Sequence, residues 1–437
     1  MRFDTIIIGG GLSGLVAGIS LQRKGKRCAI VSAGQNALHF SSGSFELLSR
    51  LPSGEAVDDP EAAVAALPTE HPYRKMGKDA FRQLAGRVQP FFEACGIPLY
   101  GNGLRNSWRL SPTGSRRRTW LATEDITLWA EKNVKIGDKA LIVNLKGYFD
   151  FYTEFLADGL AKQGTSCRTA RVTLEEIDSL RTSPSEMRSL NIARVMETPA
   201  ALQHFTDAVR SQLQDEDVVV LPQVFGFKDA RVLQSVRDAL PVPVVFAGTM
   251  PPSVPGMRIQ LLLKHAFEQA GGMFLMGDAV LSAEVSEGRV VAVKTANLGD
   301  HRLFADHFIL ATGGYFSKGI TATPSAIVEP LFGLDVSYNE NRREWYDADF
   351  FRDQPYLSFG VRTDDAFRAL IDGAPLHNLY AIGSILGGTD ALALGCGGGV
   401  AILTAFSVAD TILAVPADSG EKPAAPTLNQ ILQEGLS

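Results

Sequence analysis

Length, composition and charge place the chain among large globular proteins. It has 437 residues, of which 45% are hydrophobic and 21% are charged, and its formal net charge is -6. Such a chain can bury a large core in two or three domains, and its acidic balance provides no broad positive field for nucleic acid. The four cysteines form no Cys-x-x-Cys pair, which argues against zinc and iron–sulfur sites and favours a reducing cytoplasm.

The first thirty residues have the pattern of a β-α-β unit. A strand, a glycine turn, a helix and a second strand are predicted, with the regular elements at Thr5–Ile8, Leu12–Arg23 and Arg27–Val31. In the turn, Gly9 permits the tight bend, Gly11 lets a diphosphate approach the backbone, and Gly14 lets the helix pack closely on the strand. Because a helix N-terminus offers N–H groups to an anion, we predict cofactor contacts from Gly9, Gly11, Leu12, Ser13 and Gly14. The alternative is a glycine-rich turn without a ligand.

The second strand ends without an expected acidic residue. The dinucleotide pattern has a carboxylate about 20 residues beyond the glycines, where it binds the adenosine ribose. Ser32 and Ala33 occupy that place, and the Ser32 hydroxyl can still hydrogen-bond a sugar, although less strongly than a charged acceptor. In the following segment, "HFSSGSF", we predict cofactor contacts from Ser41, Ser42 and Gly43, with an ordinary Ser- and Gly-rich loop as the alternative.

The pattern changes after about residue 50. Residues 53–86 are rich in Ala, Pro, Glu and Asp, and no second glycine fingerprint occurs before about residue 246. We therefore predict an inserted domain over 51–249, between two parts of one cofactor-binding domain at 1–50 and 250–437. Inside the insert, His71-Pro72 lies in a polar stretch that we expect at the surface. The run Arg116–Arg118 is expected to be a solvated loop, with an anion-binding or docking patch as the alternative.

The C-terminal part contains further glycine-rich strand ends. The segment "VLSAEVSEGRVVAVKT" predicts a two-stranded β-meander that we expect to cover one face of a parallel sheet. Two buried strands then run into "ATGG" and "AIGS", and "GCGGG" begins another helix. Two strand ends and two helix starts should thus face one cleft. The predicted cofactor contacts in this part are Val280, Thr312, Gly313, Gly383, Ser384, Gly398 and Gly399.

The segment Gly397–Val415 is long and apolar enough to be mistaken for a membrane span. It begins with three glycines and carries Asp410, which favours a buried C-terminal helix. Cys396, just before this helix, is interpreted as a small packing residue rather than a redox thiol. Any membrane contact is therefore expected to be indirect.

Several of these segments, in this order, resemble one known family. The segments "IIIGGGLSG", "ILATGG" and "LYAIGS" resemble the flavin domain of two-dinucleotide-binding-domain flavoproteins. Together with "ALHFSSGSFELLS", "PPSVPGMRIQ" and "REWYDADFF", they resemble the B subunit of anaerobic glycerol-3-phosphate dehydrogenase, with matches up to about Ala401. The resemblance implies an α/β fold class: a Rossmann-like flavin-binding domain with a parallel sheet and β-meander, plus an inserted α+β domain.

The resemblance also implies a function. In that family the B subunit carries FMN and joins an FAD-bearing catalytic A subunit and an iron–sulfur C subunit that docks to the inner membrane. The complex oxidises sn-glycerol 3-phosphate to dihydroxyacetone phosphate and passes electrons to quinone. The chain would then be cytoplasmic, held at the cytoplasmic face of the inner membrane through its partners.

The sequence leaves two questions open: which flavin is bound, and whether this chain oxidises the substrate or only carries electrons. Ser384 stands where the wider flavoprotein group usually has Asp, and together with Ser32 it favours FMN, whereas the intact glycine turn favours the alternative, FAD. No catalytic residue and no metal site are predicted, and we expect the chain to carry electrons without oxidising the alcohol itself. The alternatives are a self-sufficient flavin oxidoreductase and a flavin-fold scaffold without cofactor.

Overall fold

The described residues form two compact units. The computed structural model describes residues 1–182 and 187–415. The first unit comprises Met1–Asn36, Val64–Leu84 and the described part of Leu263–Ser437, and the second comprises Ala37–Ala63 and Ala85–Leu262. The predicted division at residues 50 and 250 differs in three segments, because 37–50 and 250–262 belong to the second unit and 64–84 belongs to the first.

The first unit is built on an eight-stranded mixed sheet. Four neighbouring strands pair in parallel, and a fifth parallel strand joins their far edge. Along the sheet these strands are Met273–Met276, Cys28–Ser32, Arg2–Ile8, Arg302–Leu310 and Ala374–Ala381. The apolar run "TIII" thus forms a central strand, whose Ile6, Ile7 and Ile8 are buried as the sequence predicts.

The predicted β-meander is present, and it branches from the main sheet. Its strands are Val280–Ser286 and Arg289–Thr295, and they turn at Glu287 and Gly288, as predicted. The strand Arg302–Leu310 pairs with the meander through its first residues and with the last parallel strand through its final residues. The expectation that the meander covers a face of the sheet is therefore wrong, because the length of this strand lets the meander continue the sheet by hydrogen bonding.

Two apolar helices of the first unit pack against each other. They are Leu12–Gln22 and Gly397–Ala414, close to the bounds predicted from the sequence. Ten residues of the second helix are buried, and by length and composition it is also the one helix, among the described residues, that could cross a membrane. Among the described residues, the remaining α-helices that lie wholly or partly in this unit are Pro72–Met76, Lys78–Gly86, Val254–Gln269 and Ala391–Leu394.

The segment around His71 is buried, so the prediction of a surface loop is wrong. The His71 side chain is fully buried and caps the helix Pro72–Met76, since its Nδ1 accepts a hydrogen bond from the Tyr73 N–H at 3.1 Å. Tyr73 is also fully buried, and its hydroxyl donates to the Cys396 carbonyl oxygen at 3.5 Å. The polar His71 serves as a helix cap, and Tyr73 bonds to a residue distant in the chain. Neither contact can be seen from the composition of the segment.

The second unit contains a four-stranded parallel sheet. Its strands, in spatial order, are Val244–Ala247, Val218–Pro222, Lys139–Leu145 and Ser166–Val172. The helices Thr153–Ala161 and Arg231–Ala239 lie in two of the crossovers, and Ser189–Met196 and Pro199–Gln212 precede Val218–Pro222 in the chain. Antiparallel pairs also occur, including Ser107–Leu110 with Arg116–Thr119. The α+β prediction for this region thus describes only its antiparallel part.

Candidate functional site

The glycine turn after the first strand can be formed only by glycine at two positions. Gly9 has a φ of +117°, and a Cβ there would overlap the carbonyl oxygen of Ala311. A Cβ on Gly14 would overlap the carbonyl oxygen of Gly9. At Gly11, by contrast, an added Cβ would have only the Asn36 Cβ within reach, at 3.9 Å. The backbone is therefore tightly packed on one side of the turn and open at Gly11.

The helix that follows the turn can bind an anion at its start. The N-cap residue of Leu12–Gln22 is Gly11, which provides no side-chain cap, and the first turn contains no acidic residue. The N–H groups of this turn precede the first internal helical bond, from the Leu15 N–H to the Gly11 carbonyl oxygen at 2.9 Å. Unpaired N–H groups and the helix dipole together favour a phosphate at this end.

A second strand end carries a buried hydroxyl without a partner. The loop after Arg302–Leu310 contains Thr312, whose Oγ1 is buried and has no hydrogen-bond partner among the described residues. Gly313 follows with a φ of +77°, and a Cβ there would overlap Ser317 Oγ and lie 3.3 Å from Ser384 Oγ. The predicted residues Thr312, Gly313 and Ser384 are therefore brought together, and Ser317 joins them without having been predicted.

A third strand end contacts both apolar helices. Gly383 has a φ of +74°, its N–H donates to Thr404 Oγ1 at 3.0 Å, and a Cβ there would lie 2.6 Å from Ser13 Oγ. The helix Gly397–Ala414 begins with the predicted Gly398 and Gly399, and it has no side-chain cap and no acidic residue in its first turn. A second helix N-terminus is thus available to an anion in the same unit.

The position of the missing acid is occupied by an inward-facing serine. Ser32 is buried, and its hydroxyl donates to the Gly34 carbonyl oxygen at 3.1 Å. A Cβ on Gly10 would lie 2.6 Å from this hydroxyl, so the Ser32 side chain packs directly against the glycine turn. Asn36, which was not predicted from the sequence, supports the same turn because its Nδ2 donates to the Gly10 carbonyl oxygen at 2.7 Å. An amide shortly after the second strand is the only sequence signal for this contact.

For the remaining predicted contact residues, the structure gives no feature that points to the cofactor. Val280 is half-buried and is the first residue of its meander strand in the first unit. Ser41, Ser42 and Gly43 belong to the second unit, where the Gly43 N–H donates to Ser41 Oγ at 3.2 Å. Their assignment to the cofactor stays a prediction.

A buried hydrogen-bond network reaches Cys396, the residue before the helix Gly397–Ala414. Since the Tyr73 N–H donates to His71 Nδ1, the neutral imidazole carries its proton on Nε2 and donates it to Thr389 Oγ1 at 3.2 Å. The Thr389 hydroxyl can then donate to Cys396 Sγ at 3.5 Å. Burial lowers the pKa of His71 to about 4, so the ring is neutral at physiological pH. Cys396 is fully buried, in keeping with its interpretation as a packing residue.

These features of the first unit fit a flavin with a phosphate group. An open backbone at Gly11, two uncapped helix starts and the unpaired Thr312 hydroxyl provide anion and hydrogen-bonding positions. Residues 4–400 match the family model described as FAD binding domain. The fold and this site therefore define the class as a flavin-binding protein of the FAD binding domain family, with a flavin as its cofactor.

Curated relatives narrow the class to one family. The chain is 42% identical over 417 residues to the B subunit of anaerobic glycerol-3-phosphate dehydrogenase from Yersinia enterocolitica, with 94% of this chain and 98% of the relative covered. It is 40% identical to the protein of that name from Pectobacterium atrosepticum, with 94% and 99% covered. The chain belongs to the family of anaerobic glycerol-3-phosphate dehydrogenase B subunits, which confirms the resemblance found in the sequence.

A solved structure was also similar at low identity. It is 3-ketosteroid delta1-dehydrogenase from Sterolibacterium denitrificans, with 12% identity and a TM-score of 0.45. The match covers 94% of this chain and 99% of that one.

Proposed function

We propose that the chain is the flavin-bearing relay subunit of an anaerobic sn-glycerol-3-phosphate dehydrogenase. In this role it accepts electrons from the oxidation of glycerol 3-phosphate to dihydroxyacetone phosphate and passes them toward an iron–sulfur subunit and quinone. The observation that carries the proposal is the 42% identity across 98% of a relative of that name. The anion-binding features of the first unit support it independently.

The chain's own residues would bind and orient the flavin. The turn Gly9–Gly14 and the start of Leu12–Gln22 would hold a phosphate through backbone N–H groups. Thr312 and Ser384 would hydrogen-bond the sugar-like chain of the cofactor, and the start of Gly397–Ala414 would place a positive dipole end nearby. The bound flavin supplies reversible electron transfer.

The ionisable side chains near these strand ends support a relay rather than substrate oxidation. Burial raises the pKa of Tyr315 to about 12, so its hydroxyl stays protonated at neutral pH. His71 is neutral but fully buried, so it cannot reach a substrate. Thr312, Ser317 and Ser384 carry hydroxyl groups that do not act as bases at neutral pH without an activating partner. The proposal assigns the alcohol oxidation to a separate, FAD-bearing catalytic subunit.

We propose FMN as the cofactor. The Ser32 hydroxyl is buried and donates to Gly34, which leaves the adenosine ribose without the usual carboxylate acceptor at this strand end. The adenosine half would then contribute little to binding, and a mononucleotide would suffice. Mass spectrometry of acid-released flavin tests this directly: stoichiometric FMN is expected, and stoichiometric FAD would overturn the assignment.

Partner contacts and location follow from the same proposal. The partners are the FAD-bearing subunit and an iron–sulfur subunit that docks to the membrane, so the chain would be peripheral on the cytoplasmic face of the inner membrane. Burial of ten residues of Gly397–Ala414 supports an indirect membrane contact. A carbonate wash should release the chain expressed without partners, and its retention in the membrane pellet would contradict the proposal.

Turnover measurements test the relay role. The purified chain, with its flavin content measured, is assayed with sn-glycerol 3-phosphate and an artificial electron acceptor, alone and after reconstitution with partners that copurify from a host expressing the complex. We expect turnover only in the reconstituted complex. Full turnover by the chain alone would identify a self-sufficient oxidoreductase, and a colourless chain that takes up no flavin would identify a scaffold.

A further inference from the structure

The second unit contains a narrow pocket with a buried arginine. Its lining is part apolar and part polar, and it admits little more than one water-sized group. The residues most relevant to binding are Ser42, Arg109, Thr127, Trp129, Gln223 and Phe246. A polar cluster within an apolar wall is typical of sites that recognise the end group of a small ligand.

Arg109 is buried with few partners. Its side chain is only 9% exposed, and its closest ion-pair contact is Nη2 to Glu46 Oε1 at 3.5 Å. Nη1 donates to the Leu110 carbonyl oxygen at 3.4 Å, whereas Nε is buried and has no hydrogen-bond partner among the described residues. Glu46 also accepts a hydrogen bond from Ser44 Oγ at 3.0 Å, so its carboxylate is shared. The guanidinium is therefore incompletely paired.

A second buried arginine of the same unit shows what complete pairing looks like. Arg258 Nη2 donates to Asp125 Oδ1 at 2.8 Å, and Nη1 donates to the Gly226 carbonyl oxygen at 2.6 Å. The two charged side chains are 5% and 1% exposed. Asp125 also accepts from Thr123 Oγ1 at 2.6 Å and from Gln223 Nε2 at 3.4 Å, which links the pair to the pocket wall. Partners within the fold therefore account for the burial of the Arg258 charge, whereas they account only in part for that of Arg109.

The incompletely paired guanidinium favours a negatively charged ligand. A buried charge is strongly destabilising unless it is paired and hydrogen-bonded. Burial lowers the pKa of Arg109, and Glu46 offsets only part of this effect. A planar guanidinium forms its best hydrogen bonds with the oxygens of a carboxylate or phosphate, often two at once. An oxyanion in the pocket would complete the pairing that Glu46 leaves unfinished.

We propose that this pocket receives one oxygen of the oxyanion end group of a small metabolite, with Arg109 as its charge partner and the Ser42, Thr127 and Gln223 side chains as its polar neighbours. Carboxylates and phosphate monoesters share this chemistry. Apart from Arg109, the residues that line the pocket carry no ionisable side chain, so the site binds its ligand without transferring a proton. It is a recognition site that goes beyond the proposed electron relay.

Binding to the flavin-loaded full chain tests the proposal. Calorimetric titrations at constant ionic strength use inorganic phosphate, sn-glycerol 3-phosphate and succinate, with glycerol as the neutral control. We expect at least one of the three anions to bind and glycerol not to bind. Phosphate-containing probes and succinate distinguish the two oxyanion sources, and failure of all three anions to bind would overturn the proposal.

Two matched variants then locate the binding. Arg109→Gln should weaken binding of the anion by at least tenfold, whereas Arg117→Gln, which removes the same charge from the exposed cross-strand partner of Arg109, should change it less than twofold. Should Arg109→Gln fail to fold, Arg109→Lys keeps the charge but loses the planar donor pair, and it should weaken binding at least threefold. Unchanged binding in the folded Arg109 variant would overturn the proposal. Flavin content should stay the same in all variants, so this outcome is separable from failure of the relay proposal.

Discussion

The two units place their polar groups in different ways. The candidate site of the first unit depends on backbone conformation, with Gly9, Gly313 and Gly383 at positive φ and two helix starts without caps. The pocket of the second unit depends on side chains: the buried Arg109 lines it, and Gln223 of its wall donates a hydrogen bond to Asp125 of the buried pair Arg258–Asp125. A site made from backbone leaves a spacing pattern in the sequence, whereas a site made from distant side chains does not.

The largest effect is expected at the buried ion pair of the second unit. Asp125→Ala leaves Arg258 buried without its carboxylate, which should lower the free energy of unfolding by about 3–5 kcal/mol. Asp138→Ala removes an exposed pair with Lys135 in the same unit and should change it by less than about 1 kcal/mol. Chemical denaturation measures both variants. Equal losses of stability in the two variants would mean that the buried ion pair stabilises the second unit no more than the exposed pair does.

The pH dependence of stability tests the buried His71 network of the first unit. The pKa of His71 is lowered from 6.5 to about 4, so the unfolded chain binds a proton at this residue in a pH range where the folded chain does not. Stability should therefore fall as the pH drops from 6.5 to 4, by about 3 kcal/mol for this residue alone. Below pH 4 both states are protonated and its contribution levels off.

A comparison of variants isolates this contribution. His71→Gln cannot titrate, so its unfolding free energy should lack the His71 component of the decline, and the gap to wild type should narrow toward pH 4. His301→Gln, at an exposed position of the first unit, is the matched control variant. A parallel pH profile for wild type and His71→Gln would show that this histidine is not held neutral.

Gly11 separates folding from cofactor binding in the first unit. An alanine Cβ there meets only the Asn36 Cβ at 3.9 Å, so Gly11→Ala should fold with a Tm close to wild type. The same methyl group would block the approach of a phosphate to the backbone, so flavin affinity should fall at least tenfold. Gly34→Ala has no atom within 4 Å of its new Cβ and serves as the control. Full flavin content in Gly11→Ala would place the phosphate elsewhere.

The smallest effect is expected at Asn36. Asn36→Ala removes the hydrogen bond to the Gly10 carbonyl oxygen at 2.7 Å, which should lower the free energy of unfolding by about 1 kcal/mol. Flavin affinity should weaken less than in Gly11→Ala, because the glycine turn keeps its sterically required residues. Gln35→Ala, at the exposed neighbouring position, should behave as wild type. An equal loss in both variants would show that this hydrogen bond does not stabilise the turn.

Much of the first unit could be predicted because each step uses local rules. The strand Arg2–Ile8, the glycine turn and the helix Leu12–Gln22 follow from residues that are neighbours in sequence. The burial of His71 could not be predicted, because its partner Thr389 is distant in the chain. Arg109 escaped prediction for the same reason, since its burial and incomplete pairing exist only in the folded second unit.

The most direct test of the relay role is the redox state of the bound flavin. The absorbance spectrum of the anaerobic, flavin-loaded chain is recorded after addition of sn-glycerol 3-phosphate, first alone and then with the copurified partner subunits. We expect an oxidised spectrum for the chain alone and bleaching of its flavin once the partners are present. Bleaching in the chain alone, at the rate seen in the complex, would contradict the relay role.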